Sequence, residues 1–262
     1  MQNSDIGISI VLPTLNEKEN LKFLIPNLEE VLINLSINNY EIIVVDDNST
    51  DGTDKFVSTL NSKNNNIRII TRKSEKSLPM SIYTGIKSSN FSHVMWLDAD
   101  GSMDSQSVEK LIKKQINKPE VVFVGSRFIE GGGYKGQIED KKDSFIDYLK
   151  KITNSEDSLL AIFLSKYFNK IIGLLLNIGV SDLTSGFIIG KKEYFFDEAF
   201  EKSVYGEYFI YLMKNIANKG IAIEEVGYFC KPRYAGVSKT STNYIVLIKL
   251  SLPYIKAALL TK

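Results

Sequence analysis

The chain has 262 residues, and its 32 lysines and arginines nearly balance its 31 aspartates and glutamates, giving a net charge of +1. This balance argues against a nucleic-acid-binding protein, and the length suffices for one large α/β domain or two small ones. The single cysteine, Cys230, excludes an internal disulfide and fits a reducing compartment. Residues 1–5 lack the basic and apolar regions of a signal peptide, and no apolar run could span a bilayer. We therefore expect a cytoplasmic protein, either free or bound peripherally to the cytoplasmic face of a membrane.

The first half of the chain alternates short apolar runs with amphipathic helical patterns. Apolar runs of strand length occur at residues 8–13, 40–45, 67–70, 93–97 and 121–125. Helices are predicted between them at 21–35, 79–87 and 105–116, with Ser105 as the N-cap of the last one. This alternation predicts βαβ units with right-handed crossovers and a mostly parallel sheet flanked by helices.

The second half of the chain is less regular. Residues 137–160 are rich in charge and predict a surface segment with a partial helix near 145–152. Beyond it we expect helices at 162–178 and 208–217, strands at 187–190 and 221–226, and an extended piece at 228–234. Because no linker separates independent parts, the sequence predicts a single domain.

Polar side chains follow three of the predicted strands, at the points where the strands end. Glu17 comes shortly after the first strand, Asp46 follows the second, and Asp98 and Asp100 follow the fourth. Ligands of open parallel sheets bind beyond the carboxyl ends of the strands, so we expect these side chains at one rim. An Asp-x-Asp pair there can hold a divalent cation on diphosphate oxygens, although a plain acidic turn has the same sequence. The glycine-rich loops of nicotinamide-binding proteins and of common NTPases are both missing.

Seven short motifs follow one another along the chain in a characteristic order. They are Val-Leu-Pro-Thr-Leu-Asn-Glu (11–17), Val-Val-Asp-Asp-Asn-Ser-Thr-Asp-Gly-Thr (44–53), Leu-Asp-Ala-Asp (97–100), Gly-Ser-Arg-Phe (125–128), Gly-Gly-Gly (131–133), Ser-Asp-Leu-Thr-Ser-Gly-Phe (181–187) and Gly-Val-Ser-Lys (236–239). The set resembles glycosyltransferase family two, the inverting enzymes with the Rossmann-like GT-A fold. Its last two motifs resemble the branch of polyprenol-phosphate (dolichol-phosphate) mannose synthases. The resemblance covers residues 6–240 and implies a nucleotide-sugar half (6–128) and an acceptor half (129–240), followed by a C-terminal amphipathic segment (241–262).

The resemblance implies a role for particular side chains. It places Pro13, Leu15, Glu17, Asp46, Asp47 and Asp98 around the nucleotide. It implies that Mg²⁺ or Mn²⁺ is held by Asp98, Asp100 and Ser102. It assigns acceptor binding to Arg127, Lys166, Ser185, Arg233, Ser238 and Lys239, and catalysis to Asp98, Asp100, Arg127 and Arg233. The implied donor is GDP-mannose or UDP-glucose, and the implied acceptor is a polyprenyl phosphate.

The charges of the chain favour a phosphate acceptor over a hydroxyl acceptor. A hydroxyl needs a general base, whereas a phosphate monoester has a second pKa of about 6 and is already largely a dianion at pH 7. Such an acceptor needs cations, and the arginine fork suits phosphate oxygens. Transfer to a saccharide hydroxyl remains an alternative, with Glu207 or Asp182 as its base. A catalytically silent nucleotide-sugar-binding protein is a third hypothesis, since the 76–80 loop departs from the glycine-rich loop of the resembled enzymes.

The run from Tyr244 to Leu260 is apolar but interrupted by Lys249, Pro253 and Lys256. An amphipathic segment of this kind can lie in a membrane interface. Closing the core and forming a homo-oligomer contact are equally consistent with the pattern. Elsewhere, His93 lies at the start of its strand, away from the proposed rim, and we expect no catalytic role for it.

Overall fold

The computed structural model describes residues 6–133, 159–236 and 244–261. Within these ranges seven strands form one sheet in the order β3-β2-β1-β4-β6-β5-β7. The strands are β1 (Ile8–Thr14), β2 (Tyr40–Asp46), β3 (Ile67–Thr71), β4 (His93–Trp96), β5 (Val122–Ser126), β6 (Ile188–Lys191) and β7 (Ile223–Gly227). Each predicted strand is present within two residues of its expected bounds.

The sheet is mostly parallel, as the sequence predicts. Strand β1 pairs in parallel with β2 and β4, β2 with β3, and β5 with β7. The exception is β6, which lies between β4 and β5 and runs antiparallel to both. The residues of β6 do not encode its direction, because a short apolar strand buried in the middle of a sheet has the same composition either way.

Helices cover both faces of this sheet. They are α1 (Lys18–Asn34), α2 (Thr53–Asn61), α3 (Leu78–Ser88), α4 (Ser105–Asn117), α5 (Leu159–Leu176), α6 (Asp197–Glu201), α7 (Tyr208–Asn218) and α8 (Tyr244–Leu260), with a 3₁₀ turn at Lys192–Tyr194. Because strand side chains alternate, Ile10 and Leu12 of β1 pack towards α1 and α4, while Val11 packs towards α3. Burying each such aliphatic side chain stabilises the fold by about 1.5–3 kcal/mol.

The start of α4 differs from the prediction. Ser105 is the first helical residue, and the N-cap is Asp104, whose side chain accepts a hydrogen bond from the Ser107 backbone N–H at 2.9 Å. The predicted cap at Ser105 is wrong by one residue. The carboxylate of Asp104 favours the cap position because it complements the positive end of the helix dipole.

The C-terminal helix α8 packs against α5 and α7. Ala257 and Ala258 are fully buried in this contact, while Leu252 and Leu259 are more than half exposed. Among the described residues, none of the helices combines the length and the apolar character needed to cross a bilayer. Most of the predicted surface segment at 137–160 and the predicted acceptor residues Ser238 and Lys239 lie outside the described residues.

His93 is buried at the start of β4, at the end of the sheet opposite the carboxylates. The ring is 4% exposed, with Nε2 3.2 Å from the carbonyl oxygen of Pro119 and Nδ1 3.0 Å from the Ser92 hydroxyl. Burial lowers the pKa of His93 below its ordinary value of 6.5, and the charge of Lys191 lowers it further. The folded protein therefore binds a proton at His93 less readily than the unfolded chain does.

We predict that His93 contributes stability that is complete above pH 6.5 and is lost as the pH falls below that value, because the unfolded chain then gains the proton first. Urea unfolding of wild type and His93→Gln at several pH values between 5 and 8 measures this. Other titrating groups cancel in the comparison of the two proteins. A free-energy difference between them that does not change with pH would contradict the prediction.

Candidate active site

The rim formed by the ends of β1, β2 and β4 collects the predicted carboxylates. These three strands are parallel neighbours with β1 in the middle, and Thr14 at the end of β1 lies opposite Asp46 at the end of β2. The loops that leave the strands consequently start side by side. Glu17, Asp46 and the Asp98–Asp100 pair are thus brought to one edge of the sheet, as the strand pattern predicts.

Asp46 is fixed in its orientation by the two loops around it. It is 1% exposed, and its carboxylate accepts hydrogen bonds from the backbone N–H and the hydroxyl of Ser49. Asn16 joins the two loops, since its N–H donates to the Ser49 hydroxyl at 2.7 Å and its side-chain oxygen accepts from Thr50 N–H at 2.8 Å. Asn16 has a φ of 57°, a conformation that asparagine adopts more readily than most residues. This network holds one end of the predicted nucleotide pocket rigid.

Asp47 is held by contacts within the protein, and its predicted nucleotide contact remains a prediction. One carboxylate oxygen pairs with the guanidinium of Arg72, and the other accepts a hydrogen bond from Ser77 N–H at 2.6 Å. Arg72 also donates to the Ser81 hydroxyl at 3.0 Å and to the Ser77 carbonyl at 3.2 Å. Both partners of the ion pair are buried, and removing one partner of such a pair typically costs about 3–5 kcal/mol. Asp47 therefore positions the 76–80 loop and the start of α3.

Asp98 and Asp100 concentrate negative charge at the end of β4. Asp100 accepts hydrogen bonds from Ser102 N–H at 2.9 Å and from Arg233 at 3.2 Å. Asp98 is exposed to solvent, and no donor among the described residues hydrogen-bonds to it. The surrounding protein still desolvates its carboxyl, and this effect together with the charge of Asp100 raises the pKa of Asp98 to about 7.

The chemistry of this pair fits a divalent cation. Two carboxylates that offer hard oxygen ligands follow β4 at the binding rim of the sheet, and the charge of Asp100 adds to the desolvation that raises the pKa of Asp98. No group of three or more metal-ligating side chains occurs in the described part of the chain. A cation held by Asp98 and Asp100 would accordingly take its other ligands from diphosphate oxygens and water. Ser102 is 5% exposed, and its backbone N–H orients Asp100.

Arg233 contacts two of the rim carboxylates in this structure, whereas the family resemblance predicts a contact with the acceptor phosphate. One guanidinium nitrogen donates to both oxygens of Glu17, at 2.8 and 2.9 Å, and another donates to Asp100 at 3.2 Å. The side chains of Arg233 and Glu17 are 15% and 8% exposed. In this structure Arg233 thus links the β1 and β4 loops, because two carboxylates attract it more strongly than the solvent does.

Arg127 is held in place by a fully buried carboxylate. Its guanidinium makes a bidentate pair with Asp182, with both nitrogen–oxygen distances at 2.7 Å, and donates to the Thr184 hydroxyl at 2.9 Å. Asp182 is itself fixed because its backbone N–H donates a hydrogen bond to the carboxylate of Glu225 at 3.1 Å. The Gly-Ser-Arg-Phe and Ser-Asp-Leu-Thr-Ser-Gly motifs are therefore parts of one structure that orients the arginine at the end of β5.

Asp182 and Glu207, the two carboxylates proposed above as a general base, both make contacts that the fold uses. Asp182 is paired with Arg127, and Glu207 accepts hydrogen bonds from the backbone N–H groups of Val204 and Tyr205, at 2.7 and 3.0 Å. Glu207 is 4% exposed and fixes the turn before α7. These contacts argue against transfer to a saccharide hydroxyl with either residue as the base.

The remaining predicted residues occupy different environments. Pro13 and Leu15 are half-buried on the rim, as expected for the walls of a nucleotide pocket. Ser185 is buried; its hydroxyl accepts a hydrogen bond from Phe187 N–H at 3.2 Å, and its side chain also hydrogen-bonds the side chain of Tyr228. Lys166 is exposed on α5. No contact in the described residues tests its predicted role.

Sequence reasoning missed several side chains near these carboxylates. Asn20 of α1 is 3% exposed and donates to Glu17 at 2.5 Å. Burial raises the pKa values of Tyr205 and Tyr254, and the charge of Asp98 contributes to both shifts. Tyr254 belongs to the C-terminal helix, where its ring packs edge-on against Phe168 of α5 with the ring centroids 6.0 Å apart. Tyrosines in apolar helices look like core residues in a sequence, and only the fold shows which of them face the site.

The architecture and the carboxylate-lined rim define the class of GT-A glycosyltransferases. Glucosyl-3-phosphoglycerate synthase from Mycobacterium tuberculosis, crystallised with Mn²⁺, UDP and glucosyl-3-phosphoglycerate, superposes with a TM-score of 0.61 over 98% of this chain and 80% of that chain, at 15% identity. The same enzyme with Mn²⁺, UDP-glucose and phosphoglyceric acid gives a TM-score of 0.62, again at 15% identity. This likeness confirms the predicted fold.

The family follows from the sequence match. The family model "Glycosyl transferase family 2" matches residues 9–197, and the chain belongs to this family. Dolichol-phosphate mannosyltransferase from Pyrococcus furiosus is 35% identical over 125 residues, which is 48% of this chain and 34% of that protein. The enzyme of the same name from Saccharomyces cerevisiae is 30% identical over 128 residues, 49% of this chain and 47% of that protein. The matched region thus spans less than half the length of these relatives.

We predict that Mn²⁺ binding is linked to the ionisation of Asp98. Because the pKa of Asp98 is raised to about 7, a cation that binds there below this pH must first displace a proton. The affinity for Mn²⁺ should therefore fall by about tenfold per pH unit below 7 and level off above it. Calorimetry at pH 6.5 in two buffers of different ionisation enthalpy measures the released proton directly. Asp98→Asn serves as the control and should release none; a wild-type protein that also releases none contradicts the prediction.

Proposed function

We propose that the protein transfers a hexose from a nucleoside-diphosphate sugar to a polyprenyl phosphate, with inversion at the anomeric carbon. The observation that supports this most directly is the distribution of charge at the rim. Two carboxylates there suit a cation on a diphosphate, and two arginines lie close by. Asp182 and Glu207, the bases weighed for a hydroxyl acceptor, are both held by contacts of the fold. A site of this kind suits an acceptor that arrives already ionised.

The donor side of the site is built for a diphosphate leaving group. Mg²⁺ or Mn²⁺ held by Asp98 and Asp100 supplies Lewis-acid stabilisation of the charge that develops on the diphosphate. Asp46 and the half-buried Pro13 and Leu15 surround the nucleotide. The match to dolichol-phosphate mannosyltransferases favours mannose from GDP-mannose, while the solved structures of similar fold contain UDP or UDP-glucose, so UDP-glucose is the second donor to test.

The acceptor side needs cations that hold a phosphate dianion. An oxygen of the acceptor phosphate forms the new bond to the anomeric carbon, and the bond from that carbon to the donor's diphosphate breaks. The leaving nucleoside diphosphate keeps the electron pair, so no proton has to be removed. Arg127 is suited to hold the acceptor phosphate, because Asp182 fixes the plane of its guanidinium. In this proposal Asp182 is a positioning residue.

Exposed apolar side chains suggest where the lipid part of the acceptor lies. They are Tyr167, Ile171 and Leu174 of α5, Leu252, Ile255, Leu259 and Leu260 of α8, and Val204 and Tyr205 before α7. Tyr167, Ile171 and Leu174 are spaced three or four apart and share one face of α5, and the same spacing joins Leu252, Ile255 and Leu259 of α8, with Leu260 directly after Leu259. The two helices contact each other, and the charge of Asp98 adds to the burial that raises the pKa of Tyr254 on α8. We infer that these stripes touch the membrane surface from which a polyprenyl phosphate is drawn.

We predict that removing the Arg127 pair as a unit blocks transfer without affecting the donor. The double variant Arg127→Met/Asp182→Asn avoids leaving a buried charge unpaired. Transfer to polyprenyl phosphate should fall by about 10²–10³-fold, because charge-assisted hydrogen bonds to the phosphate are lost. Nucleotide-sugar affinity measured by calorimetry in Mn²⁺ should stay within about twofold of wild type. Wild-type transfer rates in this variant would remove Arg127 from the proposed acceptor site.

We predict that the apolar stripes of α5 and α8 hold the protein on lipid vesicles. Leu174→Ser and Leu259→Ser change side chains that are 73% and 52% exposed and should leave the fold intact. Together they should reduce co-sedimentation with phospholipid vesicles by about tenfold or more, because two apolar side chains no longer enter the interface. Ile33→Ser on α1, where Ile33 is 65% exposed, is the matched control. Equal losses in the control and the double variant, or no vesicle binding by wild type, contradict the prediction.

A further inference from the structure

Residues 228–236, which we call the closing segment, run across the Asp98–Asp100 loop. The N–H of Lys231 donates to the Ser102 carbonyl at 2.8 Å, and the N–H of Tyr234 donates to the Asp100 carbonyl at 3.1 Å. The Tyr234 ring lies directly over Gly101, where an added Cβ would come within 2.1 Å of it. The metal-site loop and the closing segment are therefore packed as one unit in this structure.

Asn20 of α1 fastens the far end of the closing segment. Its side-chain oxygen accepts a hydrogen bond from Ala235 N–H at 2.7 Å, and its amide donates to the Ala235 carbonyl at 3.2 Å. The same amide donates to Glu17 at 2.5 Å. One buried side chain thus holds both the segment that carries Arg233 and one of the carboxylates that Arg233 contacts.

The position of Arg233 is the one that a cation would otherwise take. Its guanidinium bridges Glu17 and Asp100, donating to Oδ2 of Asp100 while Oδ1 accepts from Ser102 N–H, so both oxygens of this proposed metal ligand are already engaged. A guanidinium and a divalent cation on the same carboxylate repel each other strongly at such short range. Both cannot keep their full contact with Asp100 at once.

We propose that Arg233 is a built-in counter-ion that occupies Asp100 while the metal is absent and releases it when the metal and the donor diphosphate arrive. The released guanidinium then faces the phosphates of the site, while its contact with Glu17 keeps it close. This inference rests on the proposed function, since it takes Asp100 as a metal ligand. It follows that the metal and the donor must bind before the guanidinium of Arg233 is free to bind a phosphate acceptor.

The test is the affinity for Mn²⁺ alone, measured by electron paramagnetic resonance without nucleotide or acceptor. Arg233→Met removes the competing charge and should bind Mn²⁺ about tenfold more tightly than wild type. Lys231→Met is the matched control, because it removes a cation from the same segment that pairs with Asp104 at 2.5 Å and not with Asp100. This control should stay within about twofold of wild type.

A second variant keeps the test decisive if Arg233→Met does not fold. Asn20→Ala loosens the closing segment without removing a charge and should also tighten Mn²⁺ binding. Unchanged or weaker binding in both variants overturns the inference but leaves metal binding intact. An equal gain in Arg233→Met and Lys231→Met overturns it too, since the effect then follows net charge and not the Asp100 contact. If neither wild type nor any variant binds Mn²⁺, the metal part of the proposed function fails together with the inference.

Discussion

The structure depends on the concentration of carboxylates where three parallel strands end. A parallel sheet aligns the ends of β2, β1 and β4, so negative charge gathers at one edge, and arginines pair with part of it. Arg72 compensates Asp47, and Arg233 compensates Glu17 and Asp100. Desolvation of the Asp98 carboxyl, together with the charge of Asp100, raises the pKa of Asp98 to about 7, although Arg127 and Arg233 lower it. The site is the place where this compensation is incomplete.

Much of this arrangement could be predicted from the sequence. Apolar runs that end in acids specify buried strands whose ends carry the site, and they placed Asp46, Asp98 and Asp100 correctly on one rim. The sequence does not show which acidic side chain pairs with which arginine. Asp182 lies 55 positions from Arg127, and Asp100 lies 133 positions from Arg233, so these pairs exist only after the chain has folded. For the same reason the sequence does not show that Arg233 contacts Glu17 and Asp100, nor that β6 runs antiparallel to its neighbours.

The contacts also separate the functional hypotheses. The interpretation as a saccharide-hydroxyl transferase required Asp182 or Glu207 as a base, and both carboxylates accept hydrogen bonds that the fold needs. The hypothesis of a silent binding protein rested on the altered 76–80 loop. That loop is anchored by Asp47 and Arg72, so its different sequence still gives a defined structure before α3. Membership of glycosyl transferase family 2 agrees with an active enzyme, and the charges favour an ionised acceptor.

The central claim is that Asp98 and Asp100 hold a divalent cation on the diphosphate of a nucleotide. Anomalous diffraction from crystals grown with Mn²⁺ and GDP, or with Mn²⁺ and UDP, tests it most directly. The account predicts one strong manganese peak in contact with a carboxylate oxygen of Asp100 and with diphosphate oxygens. A nucleotide bound at the rim with no manganese peak beside Asp98 and Asp100, or a peak elsewhere in the molecule, would contradict it.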